Sequence, residues 1–84
     1  MKYTVIISPR AVKEINKLRA DIREKVGNAI EDLSVNPFEG KALKAQLSGL
    51  YSYRVGNYRI IYDIIKHKIV IEIIKVMHRR DVYR

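Results

Sequence analysis

Two arginines beside a short loop have the type and spacing that suit chemistry on a phosphate group. Arg54 and Arg59 flank the dipeptide Gly56-Asn57. A two-residue loop with glycine first is typical of a type II′ β-hairpin, and this loop would pair Val55 with Tyr58 and place Arg54 opposite Arg59. Like charges directly across a ladder are destabilising by up to about 1 kcal/mol. Either an anion lies between the guanidinium groups or both side chains spread into solvent, and the geometry favours the anion.

A second basic cluster ends the sequence, in the run His78-Arg79-Arg80-Asp81-Val82-Tyr83-Arg84. This run follows a predicted last strand, whose end would lie beside the start of the preceding strand in an antiparallel sheet. We therefore expect Arg79 to fall close to Arg59. Tyr83 could stack on a base or donate its phenolic proton.

Two members of the same run have simpler alternatives. Asp81 could neutralise Arg80, which would make Arg80 structural. His78 could act as an acid or a base, although a lone histidine more often has a structural role.

The overall charge agrees with an anionic partner. Seventeen Lys and Arg stand against nine Asp and Glu, which leaves a net charge of +8 on 84 residues. Such an excess attracts polyanions such as RNA, DNA or acidic protein segments.

Cysteine is absent, and the sequence contains no P-loop, Ser/His/Asp arrangement or metal-binding histidine pair. Cleavage would therefore rely on electrostatic clamping of a phosphate, and RNA allows this because its own 2′-hydroxyl can serve as the nucleophile.

The elements that position these residues begin with a strand and two helices. Residues 3–7 form a β-branched run typical of a strand. Ser8 followed by Pro9 predicts a helix start, Asp21 with Glu24 resembles a capping box for a second helix, and Asn36-Pro37 predicts its end. We expect the two helices to form an antiparallel hairpin.

The remainder is predicted to be β-structure. Residues 42–47 suggest a short irregular strand, and three strands follow over 50–55, 58–65 and 69–77. The expected fold is a single α+β domain over residues 1–84, with an N-terminal strand and a two-helix antiparallel hairpin packed on a mainly antiparallel sheet of four to five strands. No segment predicts a membrane span or a signal peptide, so we expect a cytoplasmic protein.

The last two strands carry isoleucine on both faces. Ile60 and Ile64 lie on one side, and Ile61 and Ile65 on the other. One helical layer covers only one face. Either the sheet curls around a core of its own, or part of the second face is an apolar patch for a partner.

Two runs of the sequence together resemble a known family. The run from Leu47 to Tyr62 is similar to the central signature of RelE-type toxins of the RelE/ParE superfamily, and the run from His78 to Tyr83 is similar to their ending. The resemblance implies a toxin of a type II toxin–antitoxin system that enters the ribosomal A site and cuts mRNA by 2′-hydroxyl attack. It implies no cofactor and no metal, and it implies three partners: the ribosome, mRNA and a cognate RelB-like antitoxin.

The resemblance also implies roles for individual residues. Arg54 matches a basic residue for proton transfer or phosphate binding, and Arg59 matches the arginine that stabilises the transition state. Arg79 matches an arginine for leaving-group or phosphate stabilisation, and Tyr83 a tyrosine that stacks on the cut nucleotide or assists as base. Further RNA contacts are expected from residues around these four, namely Lys41, Lys44, Ser52, His78, Arg80 and Arg84.

One position departs from the family pattern, and two other functions stay open. Ser52 stands where well-studied members carry a lysine, so activity would be lower or would depend on Lys41 or Lys44. ParE-like members share the fold and inhibit DNA gyrase without cutting RNA, so the fold alone does not decide the function. The third possibility is a noncatalytic basic module that binds RNA or an acidic partner.

Overall fold

The computed structural model describes residues 2–81. Two helices pack on a five-stranded sheet, so the predicted α+β class is confirmed. The elements follow in the order β1 (Thr4–Ile7), α1 (Pro9–Asn16), α2 (Ala20–Val35), β2 (Lys41–Ala42), β3 (Tyr51–Val55), β4 (Tyr58–Ile65) and β5 (Val70–His78). The sheet order is β1-β5-β4-β3-β2. It is mainly antiparallel, and the pairing of β1 with β5 is parallel.

The first helix begins as the sequence predicts, and the second begins differently. Ser8 caps α1, with its Oγ accepting a hydrogen bond from the Ala11 N–H at 3.0 Å. The predicted capping box of α2 is wrong, because Arg19 occupies the cap position and makes no side-chain cap bond. Asp21 lies inside the first turn and pairs with Arg19 at 3.0 Å, and this hydrogen bond lowers the pKa of Asp21. The helix ends at Val35, immediately before Asn36-Pro37, as expected.

The hydrophobic core lies between the helices and one face of the sheet. Burial of apolar area at about 25 cal/mol per Å² is the main force that holds the two layers together. The buried cluster comprises residues of both helices and of the two central strands: Ala11, Val26, Ala29, Ile30, Leu33, Ile60, Tyr62, Ile64, Ile71, Ile73 and Val76. No helix among the described residues is long and apolar enough to cross a membrane.

The second face of the sheet is not an exposed apolar patch along its last two strands. Ile61 is fully buried although it lies outside the main core cluster, and Ile65 is half-buried. The exposed large apolar side chains of residues 2–81 lie elsewhere, at Ile6, Ile7, Val12, Val35 and Phe38. Of the two possibilities that the sequence left open, the curled sheet agrees with this burial.

The predicted turn between β3 and β4 is confirmed, and the strand predicted before β3 is not. In the β3–β4 hairpin Gly56 has a φ of +59°, and Asn57 is not in the left-handed region, as a type II′ turn requires. The strand predicted over residues 42–47 is wrong. Only Lys41–Ala42 pairs with β3, and Ala45–Leu47 forms a 3₁₀ turn.

A β-bulge interrupts the pairing of β4 with β5. Ile61 pairs with Lys75, whereas the next residue, Tyr62, pairs with Ile73, so that Ile74 is an extra residue in β5. A bulge of this kind shifts the alternation of side chains by one residue. Beyond it Val76 enters the core and Lys75 lies on the opposite face.

Candidate nucleic-acid interface

Arg54 and Arg59 lie directly opposite each other across the β3–β4 ladder. This confirms the register predicted from the Gly56-Asn57 loop. The neighbouring pair, Val55 and Tyr58, packs against the core, so the two arginines lie on the face that the helices do not cover.

We call this surface the basic face, and it is built from two adjacent cross-strand rows. One row contains Arg54, Arg59 and Met77, and the other contains Lys41, Ser52, Ile61 and Lys75. Four of these seven residues carry a positive charge. Several positively charged side chains on one face of a sheet are typical of a surface that binds a polyanion.

Arg59 is the most constrained cation of the basic face. Its Nη1 donates a hydrogen bond to Ser52 Oγ at 3.3 Å. Its Nε is buried and has no hydrogen-bond partner among the described residues. A buried donor without a partner costs about 1–3 kcal/mol. An anion that accepts from Nε would remove this penalty, and a guanidinium group suits bidentate phosphate contacts.

Arg54 is more exposed and is oriented by the turn. Its Nε donates to the Gly56 carbonyl oxygen at 3.3 Å. Its terminal nitrogens have no partner within residues 2–81. The pair therefore combines one fixed and one exposed guanidinium group on the same face of the sheet.

Three other predicted contacts lie along the second row or near it. Ser52 is only 3% exposed, so its hydroxyl acts on Arg59 and is shielded from solvent. Lys41 is exposed and pairs with Ser52. Lys44 is also exposed and precedes the 3₁₀ turn Ala45–Leu47, outside the two rows.

The backbone of Arg79 meets the same hairpin. Its N–H donates to the Asn57 carbonyl oxygen at 2.7 Å, two residues beyond Met77, the partner of Arg59. The C-terminal run therefore reaches the hairpin, as the sequence predicts. Both Arg79 and Arg80 are exposed.

The structure does not bring His78 to the arginine pair. His78 pairs with Tyr58 in the row that continues to Val55, on the helix-covered side of the sheet. The two aromatic rings meet edge to face with centroids 5.3 Å apart, and His78 Nδ1 accepts from the Arg80 N–H at 3.3 Å. The other two predicted residues, Tyr83 and Arg84, lie outside the described residues.

Lys75 belongs to the basic face and was not among the predicted site residues. Simple alternation from Ile71 and Ile73, both buried, places residue 75 toward the core. The bulge at Ile74 reverses this assignment. The only sequence signal was the lysine itself, a charged residue at a position that the alternation would bury.

A buried tyrosine anchors the chain that leads into Lys41. Tyr62 Oη donates to the Pro37 carbonyl oxygen at 2.7 Å and accepts from the Gly40 N–H at 3.1 Å, and burial raises the pKa of Tyr62 to about 12. A Cβ atom at Gly40 would collide with the Tyr62 hydroxyl and lie 3.0 Å from the Ser52 carbonyl oxygen. Glycine is therefore needed for β2 to pair beside Ser52.

Known proteins resemble this chain along nearly its full length. A family model described as the ParE toxin of type II toxin–antitoxin systems, parDE, matches residues 5–83. The toxin RelG of Mycobacterium tuberculosis is 38% identical over 86 residues, which cover 100% of this chain and 99% of RelG. The toxin RelE of the same organism is 32% identical over 88 residues, which cover 98% of this chain and 87% of that toxin.

Solved structures agree with the sequence relatives. In the toxin–antitoxin complex RelBE2 from Mycobacterium tuberculosis, one chain matches with a TM-score of 0.89 at 35% identity, covering 96% of this chain and 95% of that one. The archaeal RelE–RelB complex from Pyrococcus horikoshii matches with a TM-score of 0.81 at 27% identity, covering 98% and 100%. The resemblance inferred from the hairpin and the C-terminal run is thus confirmed, and the chain belongs to the ParE toxin family of type II toxin–antitoxin systems, with RelE toxins among its relatives.

Proposed function

We propose that this protein is a ribosome-dependent endoribonuclease that cuts mRNA in the A site and thereby stops translation. Arg54, Arg59, Arg79 and Tyr83 are its proposed catalytic residues. The observation that carries the proposal is the buried and unpartnered Nε of Arg59, directly across the ladder from Arg54. Two arginines paired across the ladder, one of which has an unsatisfied donor, suit the phosphate of a polynucleotide.

The proposed reaction needs little dedicated acid–base machinery. The 2′-hydroxyl oxygen attacks the adjacent phosphorus, the bond from phosphorus to the 5′-oxygen breaks, and the products are a cyclic phosphate and a 5′-hydroxyl end. One proton leaves the 2′-oxygen and one reaches the 5′-oxygen, so no water is consumed. Arg59 stabilises the charge that builds on the phosphoryl oxygens, and removal of one such donor costs about 10²–10³-fold in rate.

The other proposed residues bind or align the RNA. Arg54 would contact the same phosphate from the neighbouring strand, and Arg79 would stabilise the leaving group. Tyr83 would stack on the cut nucleotide or accept the proton. The contacts around them would come from the remaining basic residues, namely Lys41, Lys44, Arg80 and Arg84.

We further propose that a cognate RelB-like antitoxin keeps the protein inactive in the cytoplasm. Solved structures that this chain resembles include chains of the RelBE2 and RelE–RelB complexes. An acidic segment of an antitoxin would neutralise the basic face and exclude RNA from it.

Primer extension on mRNA in a programmed translation reaction tests the enzyme. Wild type, Arg59→Ala and Arg23→Ala are compared, since Arg23 is an exposed arginine on α2, away from the basic face. We expect cuts within the A-site codon that require ribosomes, that persist in Arg23→Ala and that fall by about 10²–10³-fold in Arg59→Ala. Equal cutting by wild type and Arg59→Ala would refute the role of Arg59.

Gyrase inhibition is the second candidate, because the matching family model is that of ParE toxins. A DNA supercoiling assay with purified gyrase distinguishes the two functions. Loss of supercoiling together with intact mRNA would replace the endoribonuclease with a gyrase inhibitor. Normal supercoiling together with A-site cuts is the result that we expect.

A further inference from the structure

The bulge in β5 places a lysine on the basic face at a defined distance from Arg59. Lys75 pairs with Ile61, and Met77 pairs with Arg59, so Lys75 is the diagonal cross-strand neighbour of Arg59. Diagonal neighbours in an antiparallel pair have Cα atoms about 7–8 Å apart. A lysine side chain bridges much of such a distance, so its ammonium group can act beside the arginine pair.

Lys75 is half-buried and makes no salt bridge within the described part of the chain. No carboxylate of residues 2–81 lies within 4.0 Å of its Nζ. Partial burial of an unpaired ammonium is unfavourable, and a long side chain normally offsets it by extending its charge into solvent. Here the side chain shares a row with the buried residues Ser52 and Ile61.

The positive surface ends beyond Lys75. The next residues along this face are Asp63 and Glu72, which pair across β4 and β5 on the other side of the bulge. Two carboxylates at that position repel a polyanion. An RNA strand bound at Lys75 would therefore extend toward Arg54 and Arg59 and away from the two carboxylates.

From this geometry we infer that Lys75 binds an RNA phosphate adjacent to the one that Arg54 and Arg59 hold. The inference rests on the proposed function for the identity of the ligand, and it adds a substrate-binding residue to that site. Lys75 contributes affinity and alignment. The transition-state charge lies at Arg59, so loss of Lys75 weakens binding and leaves the chemical step nearly unchanged.

A salt titration with a defined probe tests the contact directly. A short fluorescent single-stranded RNA is bound to the purified protein at several salt concentrations. Lys75→Met keeps the aliphatic stem and removes the charge, and Lys25→Met, on the exposed surface of α2, is the matched control. Each phosphate contact on a single strand contributes about 0.7 to the slope of log K against log salt.

We expect Lys75→Met to bind several-fold more weakly and to reduce that slope by about 0.7, with Lys25→Met unchanged. A methylphosphonate at the contacted phosphate should weaken wild type and leave Lys75→Met unaffected. An unchanged slope in Lys75→Met, or a wild type that binds no RNA, overturns the inference.

Cleavage on ribosomes separates this inference from the proposed function. Lys75→Met should raise the protein concentration that is needed for half-maximal cutting, with little change in the maximal rate of mRNA cutting. Arg59→Ala should instead lower that maximal rate. One outcome is that wild type cuts no mRNA while the salt dependence of RNA binding is still smaller in Lys75→Met than in wild type. That result would support the phosphate contact and refute the endoribonuclease activity. If Lys75→Met cuts and binds like wild type, the endoribonuclease stands and the role of Lys75 fails.

Discussion

The Glu14 carboxylate accepts a hydrogen bond from the backbone N–H of Val76 at 2.9 Å, just past the bulge in β5. At the extra residue of the same bulge, Ser8 Oγ donates to the Ile74 carbonyl oxygen at 2.7 Å. Two side chains at the start of the chain thus pair with backbone groups at the bulge and just beyond it. These two bonds join α1 and its N-cap residue to the bulged segment of β5 that carries Lys75.

Removal of the Glu14 carboxylate should destabilise the fold. Glu14→Ala leaves the Val76 N–H unpaired, and we expect the free energy of unfolding to fall by about 1–3 kcal/mol. Glu14→Gln should cost less, because the amide oxygen still accepts. Urea denaturation measures both, with Glu24→Ala on the exposed side of α2 as control. A Glu14→Ala protein as stable as the control would show that the bulge does not depend on this bond.

The Ser52 hydroxyl should affect the rate of cleavage through Arg59. Ser52→Ala removes the acceptor for Arg59 Nη1, a bond that contributes about 0.5–1.5 kcal/mol, or about 2–10-fold in rate. We expect the maximal rate of cutting to fall by this factor with the half-saturating concentration unchanged. Ser48→Ala, at an exposed serine outside the two rows, is the control. A change in the half-saturating concentration, with the maximal rate unchanged, would instead indicate that the Ser52 hydroxyl contacts RNA directly.

Anions should stabilise the protein through the arginine pair. A ligand that binds only the folded state raises stability in proportion to the logarithm of its concentration above Kd. Inorganic phosphate should therefore raise the melting temperature of wild type more than that of Arg59→Met. Arg23→Met controls for the general effect of phosphate on hydration. Equal shifts in all three proteins would argue against an anion site at Arg59.

Tyr62 should make stability depend on pH at the alkaline end. Burial raises its pKa from 10.0 to about 12, so the folded state holds the phenolic proton more tightly than the unfolded state does. The resulting stabilisation is complete below pH 10 and is lost as pH rises through about 12.

Tyr62→Phe provides the measurement for that effect. It should lower stability at neutral pH, since the Pro37 carbonyl and the Gly40 N–H lose their partner, and it should flatten the decline between pH 10 and 12. The urea denaturation midpoints of wild type and Tyr62→Phe, measured across that pH range, test this expectation. A wild-type profile as flat as that of Tyr62→Phe would contradict the assignment.

The sequence was informative where the structure depends on local contacts. The Gly56-Asn57 loop determines the register of the strands beside it, and the opposition of Arg54 and Arg59 follows within a few residues. Ser8 and Pro9 likewise mark a helix start through contacts that span only one turn.

Distant contacts determined the features that the sequence did not reveal. The bulge that places Lys75 on the basic face lies beside Val76, whose N–H donates to Glu14, 62 residues away along the chain. The short β2 depends on the Tyr62 hydroxyl, which holds Gly40 across 22 residues. Because alternation in β5 changes at Ile74, a pattern read along the strand assigns the residues beyond it to the wrong face.

The parallel pairing of the first strand with the last has a consequence for synthesis. β1 takes its place only against β5, and β5 also pairs with β4 near the middle of the sheet. Contacts between the two ends of a chain close the largest loop, and this closure carries the largest entropic cost. A nascent chain that stops before Val70 has neither a partner for β1 nor the bulge, so a prematurely terminated product would lack Lys75 and the strand that joins β1 to the rest of the sheet.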